Sequence, residues 1–193
     1  MSKETLKNNF QQKILNFIQK NLKKLIIVFI LFVIFFLAFT FYANLKKQNE
    51  IKISAKYTQA SIQFKQKKIT ESKLLLESII AEDHKFYSPL ALYFIIDNNL
   101  ETDSLKIVNF FDKILKNNSI EEENINLIKI KKAIFLFSKG NEESIIKTLN
   151  PIINSNSVWK NMAISLISDY FLSQDQKKKA DEYIQLLDNK IKK

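Results

Sequence analysis

The sequence predicts an all-helical protein that carries one membrane-crossing helix near its N-terminus. Three observations lead there. One Gly and two Pro in 193 residues leave too few turn residues for a many-stranded sheet, whose hairpins need Gly-containing turns at short intervals. Residues 25–43 carry no charge at all. The remainder is rich in Leu, Ile, Lys, Glu and Asn, with apolar residues recurring at helical spacing.

The uncharged segment reads LIIVFILFVIFFLAFTFYA from Leu25 to Ala43, interrupted only by Thr40. At about 1.5 Å rise per residue it spans roughly 28 Å, close to a hydrocarbon core of about 30 Å. Thr40 is expected to bond a carbonyl of the preceding turn, and Tyr42 stands near one end, where an amphipathic ring favours the interface. A buried core helix of this length is rarely apolar on every face. A cleaved signal peptide has a shorter apolar core, about 7–15 residues, followed by a small-residue cleavage pattern. Here Ala43-Asn44-Leu45-Lys46-Lys47 follows instead. The segment reads as an uncleaved signal anchor, with the lipid bilayer as its partner.

The net charge of +10 comes from Lys alone, since the chain has no Arg. Residues 1–24 hold six Lys against Glu4, and residues 44–68 hold seven Lys against Glu50. Residues 69–193 are nearly neutral, with 17 Lys against 18 acids. The excess therefore flanks the apolar segment, where anionic headgroups attract it. Nucleic-acid binding needs a basic face on the folded domain, ideally with Arg forks, so no nucleic-acid partner is expected. Within twenty residues before the span stand five Lys (Lys7, Lys13, Lys20, Lys23, Lys24), and within twenty after it four (Lys46, Lys47, Lys52, Lys56). That slight bias places the N-terminus inside. Leu6, Phe10, Ile14, Phe17, Ile18 and Leu22 fall on one half of a helix, which suits either an interfacial helix or a tail.

Beyond Ala43 no Gly or Pro appears before Pro89, so the membrane helix is expected to run on to about Lys67. Start and stop signals then recur. Thr70 is an expected N-cap with Ile69 and Leu74 as a staple, and Ser88-Pro89 reads as a cap followed by a first-position Pro. Ser119 with Glu122, and Ser173 with Gln176, have capping-box spacing. Gly140-Asn141 closes one helix and opens the next, with Glu142 and Glu143 in the new first turn. These signals predict helices over 46–67, 70–82, 88–99, 103–117, 120–139, 142–154, 157–173 and 176–191. Apolar stripes support them: Ile145, Ile146, Leu149, Ile152 and Ile153; Met162, Ala163, Leu166, Ile167, Tyr170 and Phe171; Ala180, Tyr183, Ile184, Leu187 and Ile191. Pro151 should kink or shorten its helix.

Short connections make neighbouring helices antiparallel, and four such pairs suggest stacked helical repeats. One pair can be laid on the tetratricopeptide pattern. With Gly140 at position fifteen, Ala133 falls at eight and Leu136 at eleven, while Ile145 stands where a small Ala is usual. In the last pair, Ala180 at position twenty places Ser168 at the small site, Phe171 at eleven and Ile184 at twenty-four. Ala60 and Ala91 are the small contacts of the earlier pairs, at unequal spacing. The predicted fold is thus a single transmembrane helix, 25–43, between a Lys-rich segment, 1–24, and a tetratricopeptide-like α-solenoid of degenerate helix pairs, 44–193.

This arrangement, with pieces such as Ala55-Lys56-Tyr57-Thr58-Gln59-Ala60 and Leu90-Ala91-Leu92, resembles the YfgM-like proteins, ancillary subunits of the bacterial SecYEG translocon. The resemblance implies a type II inner-membrane protein whose repeats face the periplasm, near translocon subunits and periplasmic chaperones. This chain departs from the family in its scarcity of Ala and Gly.

Little in the sequence carries chemistry. With no Cys and one His, thiolate sites and cysteine nucleophiles are excluded, and His84 has no second His to complete a metal site. No strand–turn–helix elbow surrounds any Ser, and the acids Glu121–Glu123 and Glu142-Glu143 sit at helix starts, where the macrodipole accounts for them. No enzyme activity, cofactor, metal or small-molecule substrate is expected. Of the aromatic residues Tyr87, Tyr93, Phe94, Phe110, Phe111, Phe135, Phe137, Tyr170 and Phe171, most should be core. Tyr87, Trp159 and Tyr170 are the expected partner contacts, since their polar atoms tolerate a wet surface. Lys177-Lys178-Lys179 reads as a solvated face. The function expected is a membrane-anchored protein-interaction scaffold; the alternative is a cytoplasm-facing membrane adaptor.

Overall fold

Helix is the backbone state that this composition favours, and it dominates. The computed structural model describes the backbone of residues 3–139 and 141–188, with side chains for 12, 13, 16, 19–24, 26–139 and 141–187. Among the described residues eight helices follow in chain order and no strand occurs. They are α1 (Lys3–Lys65), α2 (Ile69–Ala81), α3 (Tyr87–Asp97), α4 (Ser104–Ile114), α5 (Glu122–Phe137), α6 (Glu142–Ile153), α7 (Lys160–Ser173) and α8 (Lys177–Asp188). The chain divides into two compact units, residues 1–52 and 53–193. The second unit therefore begins at Ile53, beyond the Asn44 boundary that the charge pattern marks.

The first unit is the N-terminal part of α1. Its backbone leaves helical geometry at Asn21 (φ −116°, ψ 15°), just ahead of the uncharged stretch. From Ile26 to Tyr42 no residue is buried, and the large apolar side chains are between 38% and 69% exposed. The Thr40 hydroxyl donates to the Leu37 carbonyl at 2.9 Å, so it brings no unpaired polar group to the stretch. Among the described residues one helical stretch, Gln19–Lys65, is long and apolar enough to cross a membrane. Leu22 is exposed, while Leu6, Phe10, Ile14, Phe17 and Ile18 lie outside the described side chains.

The second unit holds the end of α1 and α2–α8. Its helix boundaries fall within a few residues of those the sequence predicts, but several caps differ. Thr70 lies in the first turn of α2, whose N-cap, Lys68, makes no side-chain cap bond. Ser88 lies inside α3, and the N–H groups there are met by His84, whose Nδ1 accepts from Phe86 N at 3.2 Å and Tyr87 N at 3.1 Å. Pro89 is the third residue of α3, a position whose N–H has no helical acceptor in any case. Ser119 is held by Asn117, whose Oδ1 accepts from its N–H at 2.8 Å and its hydroxyl at 2.5 Å; Glu121 is the N-cap instead. Ser173 ends α7 and donates to the Tyr170 carbonyl at 2.7 Å. A serine hydroxyl takes the nearest carbonyl or amide, and spacing along the chain does not reveal which is nearest.

Other signals hold. Asn141 caps α6, accepting from Ser144 N at 3.0 Å, with Glu142 and Glu143 in the first turn; Gly140 lies outside the described residues. Pro151 sits in the last turn of α6, which closes at Ile153. Asp103 caps α4 through Leu105 N (2.9 Å) and Lys106 N (3.3 Å). With Gly so scarce, Lys67, Asp83, Asn99 and Asp175 take the left-handed conformation at φ 63°, 55°, 51° and 57°. Lys67, Asn99 and Asp175 each stand in a Schellman bond pair. In the first, Lys68 N reaches the Gln63 carbonyl and Lys67 N the Phe64 carbonyl, both at 2.9 Å.

Consecutive helices pack in chain order from α2 to α8, and α5 also meets α7. Two apolar clusters form the core. Ile53, Ala60, Leu76, Ile95 and Phe111 belong to the first, and Ile145, Leu149, Ile167, Phe171 and Ala180 to the second. α5 supplies both, with Ile128 in one and Ile130, Ala133 and Leu136 in the other. Met162 and Ile184 depart from their expected stripes and are 51% and 37% exposed. Ile191 lies outside the described residues.

Small residues mark the helix crossings. Ser72 Oγ donates to the Ala60 carbonyl at 2.8 Å, and Ser88 Oγ to the Ile79 carbonyl at 2.8 Å, all within the buried core. Ser168 Oγ donates to the Ile164 carbonyl at 2.9 Å and lies 3.5 Å from the Ala180 carbonyl. A side chain this small lets two helix backbones approach, and its hydroxyl then has a carbonyl within reach.

Candidate functional site

The structure places Tyr87 against the first apolar cluster and Trp159 and Tyr170 with the second. Tyr87 opens α3, half-buried, with its ring 5.8 Å from Tyr57 and 5.1 Å from Phe86. Trp159 is half-buried against the second cluster at the start of α7, where its N–H donates to Ser157 Oγ at 3.1 Å. Tyr170 is only 2% exposed, with Phe137 and Phe171 at 5.3 and 5.7 Å. It stands one turn beyond Ile167 and two beyond Ala163, on the helix face that must be buried. That stripe decides its place, so Tyr170 is core rather than surface.

A more continuous apolar surface runs between α3 and α5. One cleft of about 220 Å³ is lined by Phe86, Pro89, Leu90, Tyr93 and Leu127 among others. A second, of about 110 Å³, is lined by Tyr93, Ile96, Lys131, Ile134 and Phe135 among others. Tyr93 lines both, so the two clefts adjoin at its side chain and are called the α3–α5 groove below. Phe86 is 58% exposed and Ile134 49%, large values for residues of this size. Lys131 Nζ lies 5.7 Å from the Tyr93 ring centroid, and burial pushes the Tyr93 phenol up to about 12.

Tyr93 and Phe135 are among the aromatics that the sequence assigns mostly to the core, and Phe86 and Ile134 lie outside the predicted stripes. A signal was available. Pro89 to Ile96 holds no charged residue on a helix of only eleven, so α3 carries more apolar surface than one core face can absorb. The surplus lines the groove.

Polar groups in the second unit mostly clasp helices. Glu101, with its side chain 8% exposed, receives Lys73 of α2 at 2.9 Å and Lys106 of α4 at 3.1 Å. Its other oxygen accepts from Thr102 N and Asp103 N at 2.9 and 3.0 Å. The backbone amide of Asp103, then Lys73, hold its carboxyl well below the usual range, at about 2. Lys106 also pairs with Glu77 at 2.7 Å, Lys56 with Glu82, and Lys179 of α8 with Glu142 of α6 at 2.8 Å. Lys179 thus does more than face solvent. His84 serves as a cap acceptor, and the acid runs occupy helix starts, as their charge favours.

Compared with known proteins, the chain matches no family model, no curated protein and no solved structure. What it does must be read from its own chemistry.

Proposed function

We propose that this chain is a membrane-anchored protein-interaction scaffold of type II topology. Residues 1–24 lie in the cytoplasm, 25–43 cross the bacterial inner membrane, and 44–193 form a tetratricopeptide-like helical repeat domain in the periplasm. The domain works beside the Sec translocon, which it links to periplasmic chaperones. The observation that carries this reading is the stretch Ile26–Tyr42, apolar on all sides and unburied throughout, on the same chain as a packed helical unit. Left in water, that many exposed Phe, Ile and Leu side chains are an aggregation liability; in lipid they are at home.

The repeat reading draws support from the serine contacts. Ser72 with Ala60 and Ser168 with Ala180 share a twelve-residue offset and the same small–small pairing. Repeats that stack this way leave a continuous surface for partners, and the α3–α5 groove offers one. Confinement to one membrane raises the local concentration of scaffold and partner, so each contact works without being tight.

Photo-crosslinking from Phe86 and Ile134 in living bacteria tests the proposal. Adducts with translocon or periplasmic chaperone subunits are the expected result. Adducts with cytoplasmic proteins alone would replace it with an adaptor facing the cytoplasm.

A further inference from the structure

The opposite side of α5 carries a second feature, one that the apolar groove does not use. Lys131, Ile134 and Phe135 line the groove, whereas Lys129, Lys132 and Leu136 line a cleft of about 340 Å³ between α4, α5 and α6. Val108, Leu115 and Leu136 give it apolar lining, and Lys129, Lys132 and Lys147 line it as well, Lys147 also lining an open hollow with Glu142 and Glu143. A single acid, Asp112, lines the same cleft, and it is already committed, pairing with Lys132 at 2.5 Å.

Two cations are left over. Among the described residues neither Lys129 nor Lys147 has an ion-pair partner, and Glu143, one turn before Lys147, makes no ion pair with it. Four other lysines that reach a neighbouring helix or loop, Lys56, Lys73, Lys106 and Lys179, are each matched by a carboxylate. Ser144 lines the same wall and adds a hydroxyl.

We infer that this cleft binds a small phosphomonoester, its dianion lying between Lys129 and Lys147 and its carbon body on Val108, Leu115 and Leu136. The charge balance favours a phosphate dianion over a monocarboxylate. A phosphomonoester carries roughly −1.5 to −2 at pH 7, which matches the two unpaired ammonium groups. A single carboxylate leaves one of them uncompensated. Lysine ammoniums are point charges with rotatable donors and accept a tetrahedral anion without the planar fit that a guanidinium requires. The volume lies near the low end of the roughly 300–1,000 Å³ typical of small-ligand sites, so the body is small.

The test is calorimetric titration of the full chain in zwitterionic nanodiscs with glycerol 3-phosphate, and separately with a short-chain phosphatidic acid. Saturable binding is expected for at least one probe, weakened by about tenfold or more in both Lys129→Gln and Lys147→Gln. It should be unchanged in Lys131→Gln, which alters the groove side of α5. Affinity should also fall below about pH 6, where the second phosphate proton returns. Binding of the soluble ester identifies a free metabolite as the source; binding of the phosphatidic acid alone identifies a lipid headgroup. The inference is overturned by no saturable binding of either probe, or by equal losses in Lys131→Gln. It is equally overturned if a Glu-rich peptide binds at least as tightly as both. Unchanged melting of the glutamine variants separates lost binding from lost fold.

Discussion

Ser72 and Ala60 are joined by a buried hydrogen bond, Ser72 Oγ to the Ala60 carbonyl at 2.8 Å, where the end of α1 crosses α2. Both residues are 0% exposed, so nothing larger fits without parting the helices. Replacing Ser72 by Val should overpack the crossing and cost about 1–3 kcal/mol, whereas Ser72→Ala should cost about 1 kcal/mol for the lost bond. Thermal melts of the full chain in detergent, followed by circular dichroism, check the order. Ala less stable than Val would contradict close approach as the role of this residue.

Lys67 takes φ 63° between α1 and α2, a conformation that costs an L-residue roughly 1–2 kcal/mol. Gly has no such penalty there, though it raises the entropy of the unfolded chain. Lys67→Gly should therefore raise stability by about 0.5–1 kcal/mol. Asn99→Gly should gain less, because Asn tolerates the left-handed region better. Equal or negative changes at both sites would contradict the Schellman assignment.

Glu101 gives the second unit an acid-sensitive clasp. Its carboxyl is held at about 2 in the folded chain, below its ordinary 4.5, by the Asp103 amide and by Lys73. A depressed carboxyl stabilises fully above the ordinary value, and that contribution is lost as pH falls from about 4.5 toward about 2. Melting temperature against pH should drop through this window. In Glu101→Gln the drop should be shallower, with a lower plateau near neutrality. An unchanged acid limb in the variant would assign the sensitivity to other carboxylates.

His84 caps α3 with a ring nitrogen in place of the Ser88 hydroxyl. His84→Ala should cost about 1 kcal/mol, the usual loss for a helix cap, and His84→Asn should recover part of it. Ser88→Ala should also destabilise, through the lost bond to the Ile79 carbonyl that ties α3 to α2. If Ser88→Ala alone weakened the start of α3 in hydrogen exchange, the cap would belong to Ser88 after all.

Helix identity was legible in the sequence because the punctuation is sparse and apolar spacing fills what lies between. Residues 142–153 show this, with Asn141 capping, Glu142 and Glu143 in the first turn and Pro151 at the end. The serines were less legible. Ser88, Ser119 and Ser173 each stand where a cap is expected and each bonds elsewhere, since the choice depends on which group lies nearest in three dimensions. The partner surface was only half legible. Tyr170 fell to the buried stripe of α7, and Phe86 and Ile134 stood out only once the α3–α5 groove was formed.

The central claim is that residues 25–43 cross a membrane and leave the packed unit outside the cytoplasm. The chain has no Cys, so a single introduced cysteine reports unambiguously. Gln12→Cys and Lys139→Cys place it at exposed positions on either side of the span. With a membrane-impermeant maleimide on intact bacterial spheroplasts, Lys139→Cys should be labelled at once and Gln12→Cys only after detergent. Labelling of Gln12→Cys with protection of Lys139→Cys would contradict the proposed orientation, and a chain released by alkaline carbonate would contradict the span itself.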